Sequence, residues 1–377
     1  MERNGAMRSS KWIILFCMFL LVLGLTGCGG KERREIKKEI TSEFGRLKDL
    51  DSDTFQEYLA LENLFPDAST SQASAGLIEE VTSQFFKDFD YKILKITVTG
   101  ETNASCHLQV ITLDAHALAK DYQKEYLSQV ILSAANGQQE PDTSLEQHYT
   151  LLRDLMDGHT YQTISNSCDI YLIKEGEKWR IRKTPDLENQ LVGGFISAIA
   201  NPYLLSPTET VGVYFDTLKA MDAPQMCTYL GLTDVFRSSG TDSQALAQAL
   251  FLQMRACLDY RVTGAQDNGS IATVNVEITS FSCKEILSTY QKALDEYLDT
   301  TDALIDGPTG RLAKSNTFLL DAIKNNTATA SQTVSLPLIN DGVSWKLKSN
   351  TQIGKALFGD FSMDTVTSSL SDDNDKD

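Results

Sequence analysis

Ile36, Ile40, Phe44, Leu47 and Leu50 recur at spacings of four and three, which places them on one face of a helix. The pattern breaks at Asp51-Ser52-Asp53, where Asp53 with Gln56 three residues on predicts an N-cap and capping box. The short second helix that follows carries Phe55, Tyr58 and Leu59, and a third is predicted over Ala75 to Phe89. The period then changes to two. Ile93 to Val98 and Cys106 to Leu113 alternate as strands, with Gly100 to Ala104 supplying the turn. Helices are predicted again over Ala115 to Leu132 and Ser144 to Met156, and a closing hairpin joins Thr163–Ile173 to Lys178–Lys183 through Glu175-Gly176.

The second half repeats this plan. Helices are predicted near Thr208 to Leu230 and Asp242 to Leu258, and strands near Tyr260 to Val262 and Ile271 to Ile278. A helical insert runs from Cys283 to Lys324, and Thr333–Ile339 and Ser344–Lys348 form the closing hairpin. Local matches fall in the same order: FGRLKDLDSDTFQEYLAL (Phe44 to Leu61) with FDTLKAMDAPQMCTYLGL (Phe215 to Leu232), DYKILKITVTG (Asp90 to Gly100) with LDYRVTG (Leu258 to Gly264), EGEKWRI (Glu175 to Ile181) with DGVSWKL (Asp341 to Leu347), and LVGGF (Leu191 to Phe195) with LFGDF (Leu357 to Phe361). Matches in this order indicate an internal duplication of two long copies, not a solenoid of many short ones. The predicted class is α+β.

In each closing hairpin the tryptophan shares a strand face with the residue two positions on, Trp179 with Ile181 and Trp345 with Leu347. Burying such a ring contributes at most about 4–6 kcal/mol, comparable to the net stability of a domain. Trp179 and Trp345 are therefore read as the structural core of their hairpins rather than as stacking platforms for sugars or bases.

The N-terminus changes the setting. Arg3, Arg8 and Lys11 precede an apolar run from Trp12 to Leu25, followed by Leu25-Thr26-Gly27-Cys28. The run is shorter than the roughly 20 residues of a membrane span. The tetrapeptide resembles the bacterial lipobox. That resemblance implies cleavage before Cys28, diacylglycerol on its sulfur, acylation of the new amino terminus (palmitate), and an extracytoplasmic chain anchored to the bacterial cell membrane by lipid. Of 34 Lys+Arg and 51 Asp+Glu, three basic residues and one acidic lie in residues 1–27, which leaves 31 and 50 and a net charge of −19. Such a surface excludes nucleic acid as a partner. The basic cluster KERREIKK, Lys31 to Lys38, follows the expected anchor and reads either as a headgroup-binding segment or as a solvated tether.

Helices, a hairpin and a late GxxWxI or DGxxW hairpin resemble the NTF2-like (cystatin-like) domains of bacterial lipoproteins, and LKDLDSDTFQEYL resembles their first helix pair. The resemblance covers nearly all of residues 36–363. It implies two tandem NTF2-like domains, each with helices packed on a curved antiparallel sheet. The predicted organisation is a signal peptide (1–27), a tether (28–35), copy one (36–200), a linker (201–207), copy two (208–363) and a disordered acidic tail (364–377). Roughly forty to fifty residues of helix separate the second and third strands of each copy, a longer connection than in simple NTF2-like domains.

Catalytic and metal motifs are absent. His107, His116, His148 and His159 show no HExxH or other close metal spacing, and there is no G-x-S-x-G elbow, P-loop or G-x-G-x-x-G. No metal or other cofactor is expected. The NTF2-like enzymes use a buried carboxylate or His as general base, and Asp114 with His116 is the acid/base pair placed for that part, although Asp114 also sits where a helix N-cap is expected. Five cysteines remain after residue 28, Cys106, Cys168, Cys227, Cys257 and Cys283. They lack CxxC spacing and read as small buried apolar residues or as two bridges, Cys106–Cys168 and Cys227–Cys257. The expected function is a non-catalytic binding or interaction module at the envelope, for a protein, peptide or small ligand. The alternative is an isomerase- or dehydratase-type enzyme with a pocket in one copy. The βαβα alternation of solute-binding receptors is absent.

Overall fold

The computed structural model describes residues 30–59, 64–70, 72–138, 141–230 and 241–358. The expected signal segment, Cys28 and the acidic tail lie outside the described residues. Two units emerge: the first runs to Tyr122 and resumes over Thr143–Ala200, and the second combines Gln123–Asp142 with the chain from Asn201 on.

In the first unit, helix α1 covers 30–48, so the KERREIKK segment is helical where a tether was expected. Its stripe Ile36, Ile40, Phe44 and Leu47 is wholly buried. Leu50, the fifth predicted position, is exposed, because the chain reverses there with φ +60°. That reversal also moves the predicted cap. α2 (Ser52–Tyr58) is capped by Asp51, not Asp53, since Leu50 ends α1 immediately before it. Asp51 Oδ1 accepts from Thr54 N at 2.9 Å and from Arg46 at 3.0 Å, and its carboxyl is held below the usual range chiefly by the Thr54 hydrogen bonds. α3 (Ala75–Phe86) follows. Strands β1 (Asp90–Val98) and β2 (Asn103–Leu113), helices α4 (Ala115–Ala135) and α5 (Leu145–Gly158), strands β3 (Thr163–Glu175) and β4 (Lys178–Ile181), and helices α6 (Pro185–Leu191) and α7 (Phe195–Ile199) complete the unit.

The second unit has the same order: α8 (Pro207–Ala220), α9 (Ala223–Tyr229), α10 (Thr241–Cys257), β5 (Asp259–Asn268), β6 (Ile271–Phe281), α11 (Cys283–Leu298), α12 (Thr301–Lys324), β7 (Thr329–Asn340), β8 (Trp345–Leu347) and α13 (Thr351–Phe358). Two four-stranded antiparallel sheets result, in the orders β1-β2-β3-β4 and β5-β6-β7-β8, so the molecule is α+β. In each, two helices intervene between second and third strands that nevertheless pair along their full length. Part of α4 belongs to the second unit. There Ile131 and Ala135 join the core with Val211 and Phe215, and Thr217 Oγ1 donates to Ser128 Oγ at 3.0 Å. A copy bounded by residues 36 and 200 therefore does not form a unit alone.

Side-chain alternation commits one face of each sheet to the interior. Leu108 and Val110 on β2, with Cys168, Ile170 and Leu172 on β3, are at most 1% exposed. So are Ala272, Val274, Val276 and Ile278 on β6, with Leu336 and Leu338 on β7. Most outward positions are polar: His107 pairs with Asp169, Asn275 accepts from Ser335, and Thr279 bonds Ser331, while Tyr171, Ile271 and Ile339 are exposed apolar exceptions.

One clasp occurs in both units. Lys48 donates to Asp90 at 2.8 Å and Lys219 to Asp259 at 3.1 Å, joining the first helix to the first residue of the first strand. Beside it Phe44 meets Tyr91 with ring centres 5.2 Å apart, as Phe215 meets Tyr260 at 4.8 Å. The Tyr91 hydroxyl donates to the Thr41 carbonyl, while the Tyr260 hydroxyl donates to Asp216 at 2.9 Å and lies 3.3 Å from the Gly212 carbonyl. Both first strands carry a bulge, between Ile93 and Lys95 and between Val262 and Gly264. The closing hairpins match as well. Gly176 (φ +64°) and Gly342 (φ +91°) supply the left-handed turn residue, and Trp179 lies opposite Lys174 as Trp345 lies opposite Asn340. Each tryptophan is 2% exposed.

Register also decides the first proposed disulfide. Cys106 lies opposite Ile170 and Cys168 opposite Leu108, which makes the two residues diagonal neighbours with Cα atoms about 7–8 Å apart, beyond the usual reach of a bridge. All five of these cysteines are free, Cys227 and Cys257 included. Burial pushes the Cys106 thiol up to about 11 and the Cys168 thiol up to about 12, with Asp169 adding to both.

Three outcomes follow from this packing. Trp179→Ala and Trp345→Ala should each destabilise the chain by about 3–5 kcal/mol in chemical denaturation. Trp179→Phe should cost under about 2 kcal/mol, since the buried Trp179 Nε1–H has no acceptor to lose. A Cβ on Gly193, whose φ is +66°, would stand 2.8 Å from Thr112 Oγ1 and 3.1 Å from the Leu113 carbonyl. Gly193→Ala should therefore cost clearly more than Gly137→Ala, where φ is +73° but nothing lies within 4 Å. Finally, a thiol raised to about 11 is roughly one part in a thousand thiolate at pH 8. Cys106 and Cys168 should thus resist maleimide in the native chain and react once it is denatured, whereas rapid native labelling would show that the inner face opens.

Candidate functional site

The sequence-proposed pair is not a dyad. Asp114 Oδ1 accepts the Ala117 backbone N–H at 3.1 Å and so caps α4, while His116 projects outward on the first turn and is exposed. The remaining histidines serve separate purposes. His107 Nδ1 lies 2.7 Å from Asp169 Oδ1 on the open face of the first sheet, a cross-strand pair fixed by register. His148 is buried within α5, stacked on Phe65 with ring centres 4.6 Å apart, and a 2.6 Å hydrogen bond joins its Nδ1 to the Tyr122 hydroxyl. It occupies an apolar stripe with Leu145, Leu152 and Leu155, and that spacing is the signal by which sequence alone marks it as interior.

A cleft of ≈ 370 Å³ in the first unit forms where α3 and α5 end. Gln84 Nε2 donates to Asp157 Oδ1 at 2.7 Å across its wall, and Lys87, Asp88, His159 and Tyr161 line it. His159 Nδ1 is 3.2 Å from the Leu155 carbonyl, which only accepts, so Nδ1 donates there and Nε2 is not engaged by that bond. The Tyr161 hydroxyl donates to Asp121 at 3.2 Å, and burial, reinforced by Asp121, raises the phenol well above its usual value. It remains a neutral donor at physiological pH. The cleft offers hydrogen-bond donors and acceptors of both charges and sets no nucleophile beside a base.

A second cleft, of ≈ 570 Å³, lies in the second unit between the start of α11, β7 and α13. Phe281, Leu287, Ala330 and Ala356 give it apolar walls, and Cys283, Lys284 and Gln332 add polar atoms. Ser282 caps α11 by accepting from Glu285 N at 3.3 Å, which makes Cys283 the first residue of the helix. The S-x-x-E spacing from Ser282 to Glu285 is the sequence cue to that position. Residues of neither cleft were singled out from the sequence as a site, because Gln84, Asp157 and Tyr161, or Cys283, Gln332 and Ala356, are distant along the chain. Among the described residues no group of three or more His, Cys, Asp or Glu side chains is placed to hold a metal ion.

Trp179 and Trp345 belong to the interior, as their burial shows. Lys174 Nζ stands 5.6 Å from the Trp179 ring centre, and Tyr203 meets Trp345 edge-on at 6.0 Å.

No family model and no curated protein matches the chain. Among solved structures it is similar to a Bacillus subtilis protein described as a candidate lipoprotein, YcdA, at 9% identity over 71% of this chain and 95% of that one. The TM-score is 0.26, a superposition too loose to carry an argument about fold or function.

Proposed function

We propose that the chain is a lipid-anchored extracytoplasmic protein of the bacterial envelope, built from two duplicated NTF2-like domains, that binds a partner through its surface. The observation that carries this reading is the filling of both inner sheet faces. Leu108, Val110, Val274, Val276, Ile278, Leu336 and Leu338 have no accessible surface at all, so no water-sized void adjoins them. An NTF2-like enzyme keeps its general base in that concavity, and here aliphatic side chains occupy the positions facing it. The repeated Lys–Asp and Phe–Tyr clasp, the matching bulges and the matching tryptophan turns support descent from one ancestral copy. The Leu25-Thr26-Gly27-Cys28 sequence supports the anchor, and no helix among the described residues is long and apolar enough to cross a membrane.

Two measurements on the full chain test the reading. Expressed in a bacterium that processes lipoproteins, the mature protein should begin at Cys28 and carry diacylglycerol by mass spectrometry, and Cys28→Ala should remove the lipid and leave the precursor uncleaved. Apolar dyes and small ligands should show no saturable uptake by the native interior. A ligand whose binding is abolished by Leu108→Trp or Val276→Trp would place a pocket on an inner face and restore the enzyme alternative.

A further inference from the structure

Helix α1 is described from residue 30 on, and the charges over 31–39 are sorted by side. Glu32 accepts from Lys174 at 3.3 Å and Glu39 from Arg180 at 3.2 Å, so both acids turn toward the β3–β4 hairpin and are matched there. Lys31, Arg33, Arg34, Lys37 and Lys38 all remain exposed. Glu35 approaches this group, at 3.8 Å from Lys31, and Arg34 also donates to the Gly30 carbonyl at 3.1 Å. Clustered cations are out of place on a protein whose net charge is −17. An anionic surface would resolve that conflict by pairing the side chains.

We infer that this face of α1 rests on the headgroups of anionic phospholipids, so that the first unit lies against the bilayer instead of hanging from it. The inference rests on the proposed anchoring at Cys28, which in sequence lies three residues before Lys31 and so sets the cation cluster close to the lipid. Charge complementarity selects the occupant: five cations on a rigid helix at membrane height meet the phosphates of phosphatidylglycerol or a similar lipid.

The test reads individual lysines on the full chain, purified in its processed form and reconstituted into vesicles of phosphatidylcholine alone or with about one-third phosphatidylglycerol. Limited acetylation with an uncharged reagent, followed by peptide mass spectrometry, reports the exposure of each amine. Lys31, Lys37 and Lys38 should react roughly fivefold more slowly on the anionic vesicles, relative to Lys292 on α11. Salt near 1 M, which shortens screening to about 3 Å, should abolish the difference. Equal rates on the two vesicles would overturn the inference. A mass lacking diacylglycerol on Cys28 would overturn the anchoring reading and, with it, the inference that rests on it, whereas equal rates on a chain shown to carry the lipid overturn the inference alone.

Discussion

Each sheet of this protein has two faces and helices enough for one. A period-two strand cannot hide both rows of side chains unless layers stand on both sides, so the covered row becomes aliphatic and the open row is mostly polar, with Tyr171, Ile271 and Ile339 as exposed exceptions. Leu108, Ile170, Val276 and Leu336 lie on the covered side, and His107, Asp169, Asn275 and Thr279 on the open one. The remaining devices hold the helical layer to the correct row. A one-residue slip of β2 against β3 would turn Cys106, Leu108 and Val110 outward together, and the clasp from the first helix fixes the first residue of β1 or β5, Asp90 or Asp259, against the helical layer.

Much of this was legible in the chain because burial writes itself into spacing. The alternations from Cys106 and from Ile271, the four-and-three stripe of α1 and the G-x-x-W turns each report a local period imposed by one apolar side. What was not legible depends on contacts between distant residues. KERREIKK contains one apolar residue and looks like a solvated tether, yet it is helical beside Lys174 and Arg180, which lie some hundred and forty positions away. Asp53 looked like a cap because Gln56 follows it at the right distance, but the backbone reversal at Leu50 handed that task to Asp51. The unit boundary inside α4 was invisible for the same reason, since only the partners of Ile131 and Ser128 reveal it.

The candidate site was less legible than the fold. Polar residues converge in the first-unit cleft from α3, α5 and the segment before β3, and nothing in the spacing of Gln84, Asp157 and Tyr161 announces that they meet. The pair that did stand out, Asp114 and His116, stood out through nearness in sequence, and on a helix two residues apart point in different directions. Chemistry was thus sought where residues were adjacent in the chain, whereas the structure assembles its polar surfaces from separate elements.

The helix pair lodged between the second and third strands has a kinetic consequence. β1–β2 and β3–β4 are joined by short turns, but Leu113 must find Thr163, and Phe281 must find Thr329, only after two helices have been threaded between them. Closing so long a loop loses entropy before the ladder returns any stabilisation. The central β2–β3 and β6–β7 pairings are therefore expected to form after the hairpins that flank them, whose inner edges stay open to mispairing until then.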